Sequence, residues 1–247
     1  MNELIMVAVG LLPSLLLFLF IWRKDPVPEP FGQLFKGLCY GALICFPVAA
    51  SELVVSKLLL GTDGPTTILG TTVQAFFVAA VPEEAFKLLA LWLLVRKSPW
   101  FDEHVDGIVY AVSVSLGFAA IENVAYLFDN ADDWQMVAVM RALMAVPGHY
   151  AFAVLMGYYY SMYYFVERST RNYMLILLAP VLAHGCYDAL LMASQVNPYV
   201  GVIGFFAAVW LCIKLHRYCY RKILAQIKRD NDVTANDYQQ TMKEWLS

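Results

Sequence analysis

Long apolar stretches alternate with short polar ones along nearly the whole chain. Runs of about 20 apolar residues are long enough to cross a bilayer as helices. They fall at about residues 4–22, 35–60, 68–95, 105–128, 134–165, 172–195 and 198–216. The fifth is too long for one straight span and contains Pro147-Gly148, which predicts a kink, a tilt or an extension beyond the bilayer. The first run lacks a basic leader and a small-residue cleavage site, so it reads as a retained helix rather than a removed signal peptide. Past Lys214 the pattern turns polar. Basic residues there interleave with Tyr218, Tyr220, Ile223, Leu224 and Ile227, as in a cytoplasmic extension of the last helix near anionic lipid. The expected organisation is a helical membrane domain at 1–217 followed by a polar tail at 218–247.

Charge supplies direction. Fourteen of the seventeen Lys and Arg residues follow the first, third, fifth and seventh runs, whereas the loops at 61–70, 129–133 and 195–197 hold none. Basic loops stay in the cytoplasm. The pattern therefore predicts an all-α polytopic membrane protein, a bundle of about seven transmembrane helices with its N-terminus outside and its C-terminus cytoplasmic. A multi-pass position in the cell membrane follows. The net charge is -3 and no basic domain is clustered outside the juxtamembrane positions, which argues against a nucleic-acid partner. The five cysteines lie in or beside apolar runs without metal-site or disulfide spacing, so they read as small buried hydrophobes. Oligomeric state has no signature in the chain.

The remaining charges are the informative ones, because an ionisable side chain in hydrocarbon costs several kcal/mol (roughly 3 by insertion scales) and so marks function by default. Glu83, Glu84 and Lys87 share the third run, Glu122 lies in the fourth, Arg141 and His149 in the fifth, and His184 and Asp188 in the sixth. At 1.5 Å per residue, Glu84, Glu122, His149, His184 and Asp188 lie ~18 to ~27 Å above the cytoplasmic edge. Four helices thus deliver polar groups to one layer, between the midplane and the outer third. His184 and Asp188 are four residues apart, so they share a helix face, where they could ligate one metal or the aspartate could orient the histidine. Glu83 and Lys87 have the same spacing, which suits an intrahelical ion pair. Glu83 and Glu84 point ~100° apart, so one suits the chemistry and the other a structural pairing, with the choice open. Pro82 and Pro147-Gly148 precede the polar pairs, and irregular backbone at this depth fits a water-lined cavity.

Other polar residues have plainer readings. Glu52 and Lys57 suit a pair with each other or with Arg141, and Arg141 equally suits one of the glutamates. Asp102, Glu103, His104 and Asp106 read as a solvated cytoplasmic turn, and Asp129, Asp132 and Asp133 as a solvated outer turn. Tyr158, Tyr159, Tyr160, Tyr163 and Tyr164 fit an interfacial aromatic belt.

Glu83-Glu84-Ala85-Phe86-Lys87, Phe118 to Glu122 and His184 to Asp188 spell EExxK, FxxxE and HxxxD on successive helices. In that order, with His149 between the last two, they resemble the PrsW family of intramembrane metalloproteases, related to the CAAX-protease and bacteriocin-processing superfamily. The resemblance covers a core at about 35–195. It implies hydrolysis of a peptide bond in a membrane-anchored, anti-sigma-factor-like protein. Glu83 or Glu84 would act as general base. A subset of Glu122, His149, His184 and Asp188 would bind zinc, or the histidines would stabilise the oxyanion without a metal. A proton- or ion-coupled transporter is the alternative from another class, since intramembrane carboxylates and broken helices also mark transporters.

Overall fold

The computed structural model describes residues 2–24, 28–62 and 64–246. Met1 and Ser247, the outer ends of the expected membrane domain and tail, lie outside them. The architecture is all-helical, with seven successive segments. They are α1 (Asn2–Lys24), α2 (Phe31–Leu60), α3 (68–95), α4 (Asp106–Asp129), α5 (Trp134–Val166), α6 (Thr170–Gln195) and α7 (Pro198–Leu246). Six of these are long and apolar enough to cross a membrane. The third candidate span, 68–95, is helical throughout and, like α5, contains a π portion. The protein is a multi-pass membrane protein of the expected class.

α4 is the central helix. Every residue from Asp106 to Ala119 is buried, and α1, α2, α3 and α5 pack around it. Its burial explains why its sequence is apolar on all sides rather than on one stripe. Close packing there depends on small residues, as in membrane bundles generally. A Cβ on Gly41 of α2 would lie 1.9 Å from the Val114 carbonyl oxygen of α4. A Cβ on Gly157 of α5 would lie 2.2 Å from the Gly107 carbonyl oxygen. Neither backbone atom can move aside cheaply, so both helices approach α4 through glycine.

Pro82 and Pro147 do not break their helices. Each sits just after a π segment, Gln74–Ala80 in α3 and Arg141–Ala145 in α5, and the chain stays in right-handed helical conformation through both. Proline lacks an N–H and its ring clashes with the carbonyl one turn back. The wider π turn relieves that clash and rotates the residues that follow. The expected backbone irregularity is therefore a widening of the helix rather than an unwound stretch, placed one turn ahead of Glu83 and of His149.

The residues read as a solvated cytoplasmic turn are more ordered than that. Asp106 is fully buried and its Oδ2 accepts the backbone N–H groups of Asp102 and Glu103 at 2.9 and 2.7 Å. Tyr110 donates its hydroxyl proton to Glu29. Burial holds the Glu29 carboxyl above the usual carboxylate range. α7 runs unbroken past the bilayer-length apolar stretch, with Cys219 and Gln226 buried and Ile223 and Ile227 packed on the main core. Asp230 on this extension accepts the N–H groups of His104 and Val105 at 2.7 and 3.0 Å and lies 2.6 Å from His104 Nδ1.

Candidate active site

α3, α4, α5 and α6 bring the intramembrane polar residues into one connected cluster. Lys87, 2 % exposed, is its hub. Its Nζ lies 2.9 Å from Glu83 Oε2, 2.9 Å from Glu84 Oε1 and 3.1 Å from His149 Nδ1. The same ammonium sits 4.4 Å from the centre of the Phe118 ring. The expected Glu83–Lys87 pair is present, and Lys87 also binds Glu84 one residue on. A buried charge of this kind is tolerated only when paired and hydrogen-bonded.

The two histidines have distinct surroundings. Lys87 donates to His149 Nδ1, which leaves the ring proton on Nε2, 2.8 Å from Glu122 Oε2. Arg141 Nη2 reaches the same Glu122 oxygen at 2.6 Å, and its Nε donates to Asn123 Oδ1 at 2.7 Å. Asn123 in turn donates to the Gly10 carbonyl at 3.3 Å, tying α1 to the group. His184 Nδ1 lies 3.0 Å from Glu84 Oε1, and its Nε2 lies 3.2 Å from Asp188 Oδ2 and 3.9 Å from Glu83 Oε1. The i,i+4 spacing of His184 and Asp188 thus produces a direct contact. Phe152 stacks on the His184 ring at 4.7 Å, fixing its plane. Ser115 donates to the His149 carbonyl at 3.0 Å, holding the turn after Pro147 against α4.

Beside the cluster lies a cavity of about 700 Å³. Glu83, Glu122, His149, His184 and Asp188 all line it, together with Glu52 and Arg141. Glu84 does not. It is fully buried behind Glu83, and its Oε2 has no hydrogen-bond partner. Apolar side chains, among them Val48, Val78, Phe118 and Phe152, form much of the remaining wall. Such a pocket holds water and polar chemistry inside an otherwise lipid-facing bundle.

One plain reading is corrected here. Glu52 pairs with neither Lys57 nor Arg141. Its side chain faces the cavity, and Arg141 is held by Glu122 and Asn123. Asn123 carries a structural role the sequence alone did not single out. Its signal was there, since an amide within a transmembrane run must find partners.

A family model described as the PrsW family intramembrane metalloprotease matches residues 29–213. The chain belongs to the PrsW family. Curated proteins named Protease PrsW are similar over most of its length. The one from Geobacillus kaustophilus (strain HTA426) is 34 % identical, the match covering 83 % of this chain and 87 % of the relative. That from Oceanobacillus iheyensis is 33 % identical, covering 85 % and 93 %, and that from Bacillus subtilis (strain 168) is 32 % identical, covering 83 % and 90 %. No solved structure matches the chain. Membership of the PrsW family makes this chain an intramembrane peptidase, and the transporter reading is set aside.

The PrsW family description names a metal, and the residues present fit one. Among the described residues Glu83, Glu84 and His149 each bring a donor atom to within 4.8 Å of the others. Carboxylate and imidazole donors are those zinc uses, and Glu84 Oε2 is a buried acceptor with no partner. This set differs from the expected one, in which Glu122, His149, His184 and Asp188 supplied the ligands. Lys87 Nζ touches all three residues of the set, so a metal bound there would replace the ammonium.

Proposed function

We propose that this protein hydrolyses a peptide bond of a membrane-anchored protein inside the cavity, with Glu83 as the group that moves the proton. The observation that carries this reading is the convergence of Glu83, Glu122, His149, His184 and Asp188 on one cavity wall. Glu83 lines the cavity and would meet water there, while Glu84 is fully buried and does not line it. Glu83 would take a proton from the attacking water and return it to the leaving amine. Glu84 would act through others, anchoring His184 Nδ1 and Lys87. The Arg141 guanidinium, with N–H groups beyond those given to Glu122 and Asn123, would supply hydrogen-bond donors on the wall where negative charge develops on the carbonyl oxygen, and His184 is held in place between Glu84 and Asp188.

Where a metal is bound, Glu84, His149 and one oxygen of Glu83 would hold it, leaving the other Glu83 oxygen to move the proton; zinc is the ion their chemistry suits, and it would supply a Lewis acid. Glu122 is held by Arg141 and His149 and would orient the imidazole rather than bind the metal. Metal analysis of protein purified without chelator tests this. A stoichiometric metal lost in His149→Ala supports it, and full activity of metal-free protein refutes it.

The decisive experiment pairs the full-length protein with a single-pass reporter substrate. Glu83→Gln should lower cleavage by on the order of 10² to 10⁴, the usual weight of a general acid–base group, while the reporter still co-purifies with the enzyme. Cleavage at the wild-type rate in Glu83→Gln would refute the assignment.

A further inference from the structure

The acidic residues of the polar cluster come with basic partners. Glu83 has Lys87, Glu122 has Arg141 and His149, and Asp188 has His184. Glu52 is different. It lies half-buried on α2, faces the same cavity, and makes no hydrogen bond or ion pair among the described residues. Arg141 is the one Lys or Arg on the wall among those residues, and it is already engaged by Glu122 and Asn123. A carboxylate inside a membrane-spanning helix is costly and therefore usually has a task. One left open onto the substrate cavity invites a cation.

Its height gives the task a place. Cys45 Sγ lies 3.5 Å from the Phe118 carbonyl oxygen, which sets α2 and α4 in register. From that level Glu52 is seven residues, or ~10.5 Å, along α2, and Glu122 is four residues, or ~6 Å, along α4 in the same direction. Glu52 therefore stands roughly 4.5 Å beyond Glu122 toward the end of the bundle that carries the 61–70 and 129–133 loops. Asp129, also on the cavity wall, stands ~10.5 Å beyond Glu122. The loops at that end contain no Lys or Arg. By the same rise Tyr126, whose ring holds the Arg141 guanidinium at 3.9 Å, stands ~6 Å beyond Glu122, so the route from the polar cluster to this mouth passes Glu52, then Arg141 already bound to Glu122 and Asn123, and then Asp129.

We propose that Glu52 is a specificity-determining residue that receives a lysine or arginine side chain of the substrate, with Asp129 as a second acidic contact nearer the mouth. An extended peptide advances ~3.3 Å per residue, so the basic residue belongs roughly one to three positions from the scissile bond, on the mouth side. This inference rests on the protease reading above.

The test is a series of single-pass reporter substrates with Lys, Gln or Glu at each of these positions, cleaved by the full-length protein in lipid vesicles. Wild type should prefer the Lys over the Glu reporter by about tenfold in kcat/KM, the scale of one partly desolvated charge pair. Glu52→Gln should bring that ratio close to one, and Glu52→Lys should invert it. An inverted preference is a gain that misfolding cannot produce. Equal cleavage of all reporters by wild type, or a Lys preference that survives in Glu52→Gln, overturns the inference and leaves the protease reading standing. Wild type that cleaves no reporter, or cleavage at the wild-type rate by the Glu83→Gln protein, overturns the protease reading and this inference with it.

Discussion

Lys87 shows how one side chain makes a costly cluster tolerable. Two carboxylates and an imidazole would repel or lose solvation in a dry helix bundle, and the ammonium contacts all three. Removing one partner of a buried pair leaves the others uncompensated and costs about 3–5 kcal/mol. We therefore expect Lys87→Met to lower the unfolding midpoint in detergent strongly, and Glu83→Gln to lower it far less, since Glu84 still faces Lys87. If the metal reading holds, Lys87→Met should also raise bound zinc, read by metal analysis, because it frees the Glu83, Glu84 and His149 donors. Arg141 acts at the same scale. Its planar fork reaches Glu122 and Asn123 together, which an ammonium cannot do. Arg141→Lys should cut kcat by roughly 10- to 100-fold, the usual weight of a group that orients another, with a smaller change in KM. The sequence displayed all of these ionisable residues and their motif spacing. It could not display which carboxylate lines the cavity. Glu83 and Glu84 are neighbours with identical chemistry, and they differ only in whether a cavity opens beside them.

At the scale of elements, the two π segments lie one turn ahead of Glu83 and His149, the residues proposed for the chemistry. Each precedes a proline and turns the next residues toward α4 and α6. Pro82→Ala removes the clash that the wide turn relieves. We expect it to reduce cleavage more than stability, because reverting to a regular helix rotates Glu83 while leaving the helix intact. Circular dichroism with an activity assay on the same sample checks this. Glycine at the α2–α4 crossing is a matter of packing. Gly41→Leu forces a side chain into the Val114 carbonyl and should cost about 1–3 kcal/mol, seen as lower thermal stability in detergent. The prolines were legible as irregular points in the sequence. The form of the irregularity was not, because the choice between a kink and a widened turn depends on neighbours that compensate the lost hydrogen bond.

Across the whole molecule, α7 links the two ends of the fold. Asp230 accepts the first N–H groups ahead of α4, the helix that carries Glu122, in the manner of a helix cap. Asp230→Ala should lower stability by about 1 kcal/mol, the usual weight of such a cap, measured by thermal unfolding in detergent. The basic loops further require that an epitope after residue 247 be reached by antibody only in permeabilised cells, and labelling of intact cells would reverse the orientation. The sequence by itself determined the class of the protein. Runs long enough to span a bilayer, a one-sided distribution of Lys and Arg, and three short motifs on successive helices are all local or periodic, so a one-dimensional chain displays them. Only the tertiary structure decided which helix is central, that Lys87 holds Glu83, Glu84 and His149 together, and that Glu52 faces the cavity instead of Lys57 or Arg141. Those outcomes depend on how each helix is rotated about its axis. In a bundle whose outer face is as apolar as its core, no amphipathic stripe in the sequence records that rotation.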